Sequence, residues 1–488
     1  MELFSKFILD IDNLLWSPFK AFENIPVLGW LSPLAILLVG TGIWFTIKLK
    51  FIQVRGFKKG MNAVYGALLD NKEKAGAHGM SSFQALATAI AAQVGTGNIV
   101  GASTAIATGG PGAIFWMWIA AFFGMATIYT EAVLAQKFKK VGDDGQITGG
   151  PVYYITEGFK GTFGKILACI FAVLLIFSLG FMGCAVQSNG IATSWNTVFS
   201  SVNDKVINIF GMYVPYIQII VGIILAIIAF LIFAGGISSI ASFTEKIVPF
   251  MAVLFMIGSL FVLITNIGWI PQIFYKIFVG AFNPKAVCGG TVGIMVKDAV
   301  SKGVARGLFS NEAGMGSTPN AHAFAKVLHP THQGYVAMMG VFVDTFIILN
   351  LTAFIVIGSS MYDLNIAGAQ LTGAALAQAG FRVGLGNFGN IFVAFCLTFF
   401  AFSTIIGWYF FGEANIKYLF GTKAVKIYAI IVCICIFLGS LQEVDLIWNM
   451  QDALNGLMVI PNLIGIIALT NIVVSVMKED DTSKMIYK

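Results

Sequence analysis

From residue 27 to residue 476 the chain repeats one pattern, in which long apolar runs are separated by short polar stretches that carry most of the charge. Runs of about 20 apolar residues can cross a bilayer as helices. The uninterrupted ones are Val27 to Leu49, Ala113 to Phe138, Ile166 to Val186, Tyr213 to Ala234, Ile247 to Ile267, Tyr335 to Ile357, Asn390 to Phe411, Val425 to Leu441 and Leu446 to Val476. Two further stretches are long enough to cross but are interrupted. Phe83 to Ala107 places Val94-Gly95-Thr96-Gly97-Asn98 at mid-depth, and Thr291 to Ala325 carries Lys297, Asp298, Lys302 and Arg306 ahead of Phe309-Ser310-Asn311-Glu312-Ala313-Gly314-Met315-Gly316-Ser317. Hydrocarbon offers no partner to a freed backbone group, so such breaks are tolerated where protein or a cavity surrounds them. Discontinuous helices of this kind line transporter sites, whereas a tight helix crossing also asks for small residues. Gln93 and Asn98 beside the glycines favour the site.

Together these make about eleven spans in an all-α, multi-pass membrane protein. Lys48, Lys50, Arg55, Lys58, Lys59, Lys72 and Lys74 crowd the loop after the first span, which places that loop in the cytoplasm, the N-terminus outside and the C-terminus inside. Gln187 to Gly211, with Lys205 as its one positive residue, reads as an outer loop, and Gln370 to Phe381 as an amphipathic segment at the outer surface. Met1 to Phe22 alternates apolar with Lys, Asp and Asn at helical spacing and reads as an interfacial helix. The breaks each open a set of crossings running in opposite senses, the mark of an inverted repeat. The organisation is therefore residues 1–22 interfacial, 27–49 an additional first span, 83–267 and 291–476 the two repeats, and 477–488 a cytoplasmic tail. Gly97 to Thr104 weakly resembles Glu312 to Thr318, in accord with this.

Composition excludes other classes. Of 488 residues 58% are hydrophobic and 11% charged, with a mean hydropathy of +0.86, far from the roughly 25% charged content of soluble domains. The net charge of +6 sits in loops beside spans and reports orientation, not nucleic acid. Six cysteines, mainly in or beside apolar spans and without a CxxC pair, read as buried thiols. His78, His322, His329 and His332 lack zinc-ligand spacing. No HExxH, GxSxG or P-loop occurs, and Gly95-Thr96-Gly97 misses dinucleotide spacing, so an enzyme is not expected.

Candidate chemistry starts at the first break. The amides around Thr96 and Gly97, at a half-helix start, suit a carboxylate, and freed carbonyls from Phe309 to Ala313 suit an ammonium. Trp408, one turn beyond Thr404, would narrow a pocket if it faced Phe309, or would face lipid otherwise. Asp344 lies within an apolar span, where a carboxylate is costly enough to be a functional candidate. A proton relay, a cation-site neighbour and a structural hydrogen bond all remain open for it. Arg306 and Asp298 read as an outer gate pair or a structural ion pair, and Glu131, Glu245 and Glu413 as solvated or paired carboxylates at inner helix ends.

The text Gly95-Thr96-Gly97-Asn98-Ile99-Val100-Gly101, Gly109-Gly110-Pro111-Gly112, Phe115-Trp116-Met117-Trp118, Gly149-Gly150-Pro151-Val152-Tyr153-Tyr154, Val186-Gln187-Ser188-Asn189 and Ala305-Arg306-Gly307-Leu308-Phe309-Ser310-Asn311-Glu312 resembles the alanine or glycine:cation symporter family. The resemblance covers nearly the whole chain after Val27. It implies sodium- or proton-coupled uptake of alanine and glycine on the five-plus-five fold shared with neurotransmitter:sodium symporters, in a cell membrane. It also implies a substrate pocket of Thr96, Gly97, Asn98, Gln187, Phe309, Thr404 and Trp408, and a sodium site of Ala91, Val94, Phe400, Ser403 and Thr404. Sodium would be the coupling ion, with no further cofactor and no obligate protein partner. A proton-coupled or uncoupled small-solute transporter or channel is the alternative, which flux measurements separate.

Overall fold

The computed structural model describes residues 2–17, 28–69, 79–141, 147–199, 205–209, 212–283, 296–359, 371–442 and 444–486. It is 86% helical. In chain order the helices are α1 (Glu2–Trp16), α2 (Pro33–Lys48), α3 (Phe57–Leu69), α4 (Ser82–Gln93), α5 (Gly97–Gly109), α6 (Ala113–Lys137), α7 (Pro151–Gly158), α8 (Thr162–Phe199), α9 (Tyr216–Ala234), α10 (Gly236–Thr265) and α11 (Trp269–Phe282). There follow α12 (Val296–Asn311), α13 (Pro319–His322), α14 (Pro330–Ser359), α15 (Gly373–Leu385), α16 (Phe388–Phe420), α17 (Val425–Leu441), α18 (Val444–Ala468) and α19 (Thr470–Ile486). Among the described residues eight helices are long and apolar enough to cross a membrane, or nine when α4 and α5, bent by 45°, count as one.

Local chemistry explains the helix starts. Ser32 caps α2 by accepting from Ala35 N, with Pro33 in the first turn. Ser81 and Gln84 form a reciprocal capping box on α4. The layers follow from burial. In α9 and α17, Ile224, Ile227, Leu231, Ile427, Ile430 and Ile434 are exposed, as an outer sleeve facing lipid requires. Inside it, α16 is buried along most of its length and packs on α8, α10 and α15, while α6 packs on α12 and α14. Close approach needs small residues: a methyl at Gly112 would fall 2.2 Å from the Gly280 backbone.

Both interrupted stretches are broken helices. The segment of residues 94–96 separates α4 from α5, and residues 312–318 separate α12 from α13. At one end of the bundle the outer ends of the two broken elements are joined. Met80 N donates to Phe324 O at 3.0 Å and Lys326 N donates to Met80 O at 3.1 Å. Gln136 Nε2 reaches the His322 and Ala325 carbonyls, and Lys139 Nζ donates to Gln136 Oε1 and Ala325 O. Burial, then Lys326 beside it, holds the Lys139 ammonium below the usual lysine range.

Several expectations are corrected. Gln187 to Gly211 is not all loop: α8 runs on to Phe199, and a hairpin of Val206–Ile209 with Met212–Pro215 follows. The polar residues that suggested water face protein instead, Ser188 Oγ donating to Ile436 O and Asn189 Nδ2 to Gly439 O. The span expected from Ile247 begins at Gly236, an additional helix α11 follows it, and Leu446 to Val476 divides between α18 and α19. At the N-terminus, where a helix was expected, α1 is helical and packs on α18. Val27, Lys72, Lys74, His78, Cys288, Thr291 and Gln370 lie outside the described residues.

Candidate functional site

The site is built where α4 stops. Its last turn leaves carbonyls without intrahelical partners, the negative end of the helix dipole. Opposite them, α16 presents two hydroxyls. Thr404 Oγ1 lies 2.8 Å from Ala91 O, 3.5 Å from Val94 O and 3.0 Å from Phe400 O. Ser403 Oγ lies 2.9 Å from Phe400 O and 3.5 Å from Ala91 O. Two hydroxyl hydrogens thus face three carbonyls, and Thr404 can satisfy one of its three neighbours at a time. A group so rich in acceptors and poor in donors is chemically suited to a hard cation, which takes oxygen ligands. All five residues predicted for that role are brought together.

Immediately beyond, the chain turns through Gly95 and Thr96. A methyl at Gly95 would fall 2.4 Å from Thr404 Oγ1, so glycine is what lets the break lie against α16. Thr96 N donates to Gln187 Oε1 at 3.1 Å, and Gly95 N donates to Asn98 Oδ1 at 3.1 Å. Gly97 opens α5 against the second broken element, its would-be methyl 3.1 Å from Ser310 Cα. Thr96 Oγ1 and Gln93 Oε1 are buried without a hydrogen-bond partner among the described residues, which is a cost unless a ligand or water meets them.

The second break has a different construction. Glu312, Gly314 and Gly316 all have positive φ, at 57°, 87° and 76°. Glu131 from α6 accepts from Gly314 N at 3.1 Å and Gly316 N at 3.0 Å, while Asn462 Nδ2 donates to Glu131 Oε1 at 2.6 Å and Gly314 O at 2.9 Å. Glu131 is therefore no solvated carboxylate at a helix end but a fully buried one that replaces the missing helical partners of the break. Its partners lie more than 180 residues away, out of reach of local pattern.

Of the remaining predicted residues, Phe309 packs its ring on Trp448 at 5.6 Å between centroids and under the Arg306 guanidinium. Trp408 Nε1 donates to Glu312 Oε1 at 2.5 Å, and its ring lies against Gly183, where a methyl would sit 2.5 Å from it. The indole is thus buried in protein and does not face lipid. Arg306 pairs with Asp452 at 3.2 Å, in place of the expected pairing with Asp298. Glu245 accepts from Gln84 Nε2, and Glu413 pairs with Lys417. Asn462 and Asp452 were missed, because nothing in their own segments separates them from ordinary polar helix residues, and Glu312, though inside the expected break, was given no role.

Comparison with known proteins agrees with this architecture. The family model described as the sodium:alanine symporter family matches residues 19–485. The chain is 42% identical to the sodium/alanine symporter AgcS of Methanococcus maripaludis, covering 91% of this chain and 93% of that one. It is 38% identical to the amino-acid carrier protein AlsT of Bacillus subtilis, over 94% and 92% of the two chains. Among solved structures, MhsT in complex with L-phenylalanine superposes with a TM-score of 0.57 at 14% identity, over 81% of this chain and 90% of that one. That last likeness concerns the fold alone. The chain belongs to the sodium:alanine symporter family, and it is a multi-pass transporter of the cation-coupled amino-acid symport class, not an enzyme.

Proposed function

We propose that this member of the sodium:alanine symporter family imports alanine and glycine together with sodium by alternating access, with its N-terminus outside and its C-terminus in the cytoplasm. The observation that carries the reading is the three-residue segment 94–96, which belongs to both halves of the site. On one side, Val94 O joins Ala91 O, Phe400 O and the Ser403 and Thr404 hydroxyls as the sodium ligands. On the other, the Gly97 amide at the start of α5 and the unpartnered Thr96 hydroxyl face the substrate carboxylate, with Gln187 positioning the loop by accepting from Thr96 N. A cation that orders the segment from one side lowers the cost of binding an anion on the other, which is coupling between the two ligands. Freed carbonyls of the second break and Asn98 complete the polar lining. Trp408 and Phe309 restrict it to a small side chain.

Radiolabelled alanine uptake into proteoliposomes, with sodium and proton gradients imposed separately, tests this. Accumulation should follow the inward sodium gradient at equal pH and be suppressed by excess glycine. Equal accumulation from a proton gradient in sodium-free buffer would overturn the choice of ion, and sodium-driven uptake untouched by glycine would overturn the substrate class.

A further inference from the structure

Helix α1 turns one face to the protein. Ile8 and Leu15 are buried and Asp12 between them is half-buried, while Leu9 and Leu14 are exposed. A helix that only lay among headgroups would keep its acids in water and its indole at the interface. Two polar groups of α1 go to protein instead. Trp16 Nε1 donates to Asp452 O on α18 at 3.0 Å, and Asp12 Oδ1 is buried with no hydrogen-bond partner among the described residues. Packing closes the same seam: a methyl at Gly456, one turn after Asp452, would fall 2.8 Å from Leu15 Cδ1 and 3.3 Å from Trp16 Nε1. This helix lies ahead of residue 19, where the match to the sodium:alanine symporter family begins.

What α1 grips is one half of an ion pair. Asp452 meets Arg306 at 3.2 Å, the two side chains being 15% and 24% exposed. One turn further along α12 lies buried Phe309, and the guanidinium sits 5.9 Å from its ring and 5.4 Å from the Trp448 ring. The pair therefore stands between solvent and a residue of the proposed pocket. It joins α12, part of the second broken element, to α18, so these two helices cannot separate without breaking it. Trp16 holds the α18 side of the pair by its backbone.

Charge makes the grip respond to pH. Asp12 is within the influence of Asp452 on α18 and of Arg306 and Lys302 on α12, while α2 carries no titratable group before Lys48 at its far end. Burial first, and then the Asp452 charge, push the Asp12 carboxyl up to about 6 against the pull of the two cations. A carboxyl raised by docking favours the docked state when protonated, so docking strengthens as pH falls through that value and weakens above it.

We propose that α1 is a latch on the outer gate: docked on α18 through Trp16, with Asp12 beside the gate pair, it holds Asp452 against Arg306 and must shift before an amino acid can enter from outside. The proposal rests on the outward placement of the N-terminus given above and adds to the symport reading a step that neither ligand site contains.

The test is a reversible cross-link in intact cells expressing the full chain. Leu15→Cys with Gly456→Cys should form a disulfide under mild oxidation, to which neither single variant responds. Alanine uptake should then fall tenfold or more and return when a membrane-impermeant phosphine reduces the bond from outside. Undiminished uptake in the cross-linked protein overturns the latch, and failure of the pair to cross-link overturns the docking of α1. Reduction by a permeant thiol alone would remove the outward placement, a result distinct from either. Two single substitutions test the same grip without a cross-link. Wild type should take up alanine about fivefold faster than Asp12→Asn at pH 7.5 and no faster at pH 5; a ratio that does not change with pH overturns the role of Asp12. Trp16→Phe, which keeps a ring and loses the donor, should raise uptake at pH 5 about fivefold, as for one hydrogen bond. A rate at or below wild type there overturns the grip on Asp452.

Discussion

The two breaks have similar positions in their elements and opposite construction. The first spans three residues, none with positive φ among its non-glycines, and its neighbours are the Thr404 hydroxyl and the side-chain amides of Gln187 and Asn98. The second packs three left-handed residues into five positions and is held by Glu131 and Asn462 through three hydrogen bonds, with a fourth joining the two side chains to each other. A non-glycine at positive φ, such as Glu312, stores about 1–3 kcal/mol and persists only where its surroundings over-determine it. The first break is therefore built from rotors that a ligand can re-aim, and the second from a frame that keeps its shape. A site needs both, since something must respond and something must hold the partner surface in place.

The largest contrast is expected from Glu131→Ala. It leaves the two buried amides of Gly314 and Gly316 without an acceptor, at about 1–3 kcal/mol each, and Asn462 Nδ2 with Gly314 O alone, so thermal stability in detergent should collapse, with Glu131→Gln intermediate. A wild-type melting temperature would show that the second break is not held by this carboxylate. Next, Gly97→Leu should insert and fold but lose alanine binding, because its side chain would enter the contact with Ser310; wild-type affinity in scintillation proximity assays would contradict the proposed pocket. Ser403→Ala with Thr404→Ala should raise the sodium concentration for half-maximal uptake about tenfold or more, equivalent to about 1.4 kcal/mol, and an unchanged activation curve would remove the cation assignment. The smallest effect is assigned to Gln187→Ala: about 5- to 30-fold in the alanine half-saturation from one hydrogen bond of about 1–2 kcal/mol, with little change in melting. Equal losses of stability in Gln187→Ala and Glu131→Ala would erase the distinction between the breaks.

Much of this was legible in the sequence because the bilayer is a strict solvent. Gly95-Thr96-Gly97-Asn98 in an apolar run admits few structures, and the polar run before Ser317 marked the second break in the same way. What was hidden depended on contacts between distant segments. Gln187, Ser188 and Asn189 look like a loop start because their partners, carbonyls on α17 and the Thr96 amide, are invisible from within their own helix. Glu131 sits near Lys137 in the text, yet its partners belong to α18 and to the second break. Arg306 was matched to the nearest acid on its own helix, whereas packing delivered Asp452. Hydropathy reports which residues avoid water, and it is silent on which polar groups have found each other.

The join between Met80, Phe324 and Lys326 has a consequence for measurement. It is the shortest possible β-bridge, two backbone bonds linking the beginning of one broken element to the end of the other. Side-chain gates can slip open by rotation, but this one must release main-chain amides to water whenever the two elements part. The Met80 and Lys326 amide hydrogens are thus clocks set at one mouth of the protein. Their exchange with deuterated solvent counts openings directly, independent of any substrate label, on the seconds-to-hours scale that amide exchange records. Sodium and alanine, added singly and together, would then each be read as a change in how often that mouth opens.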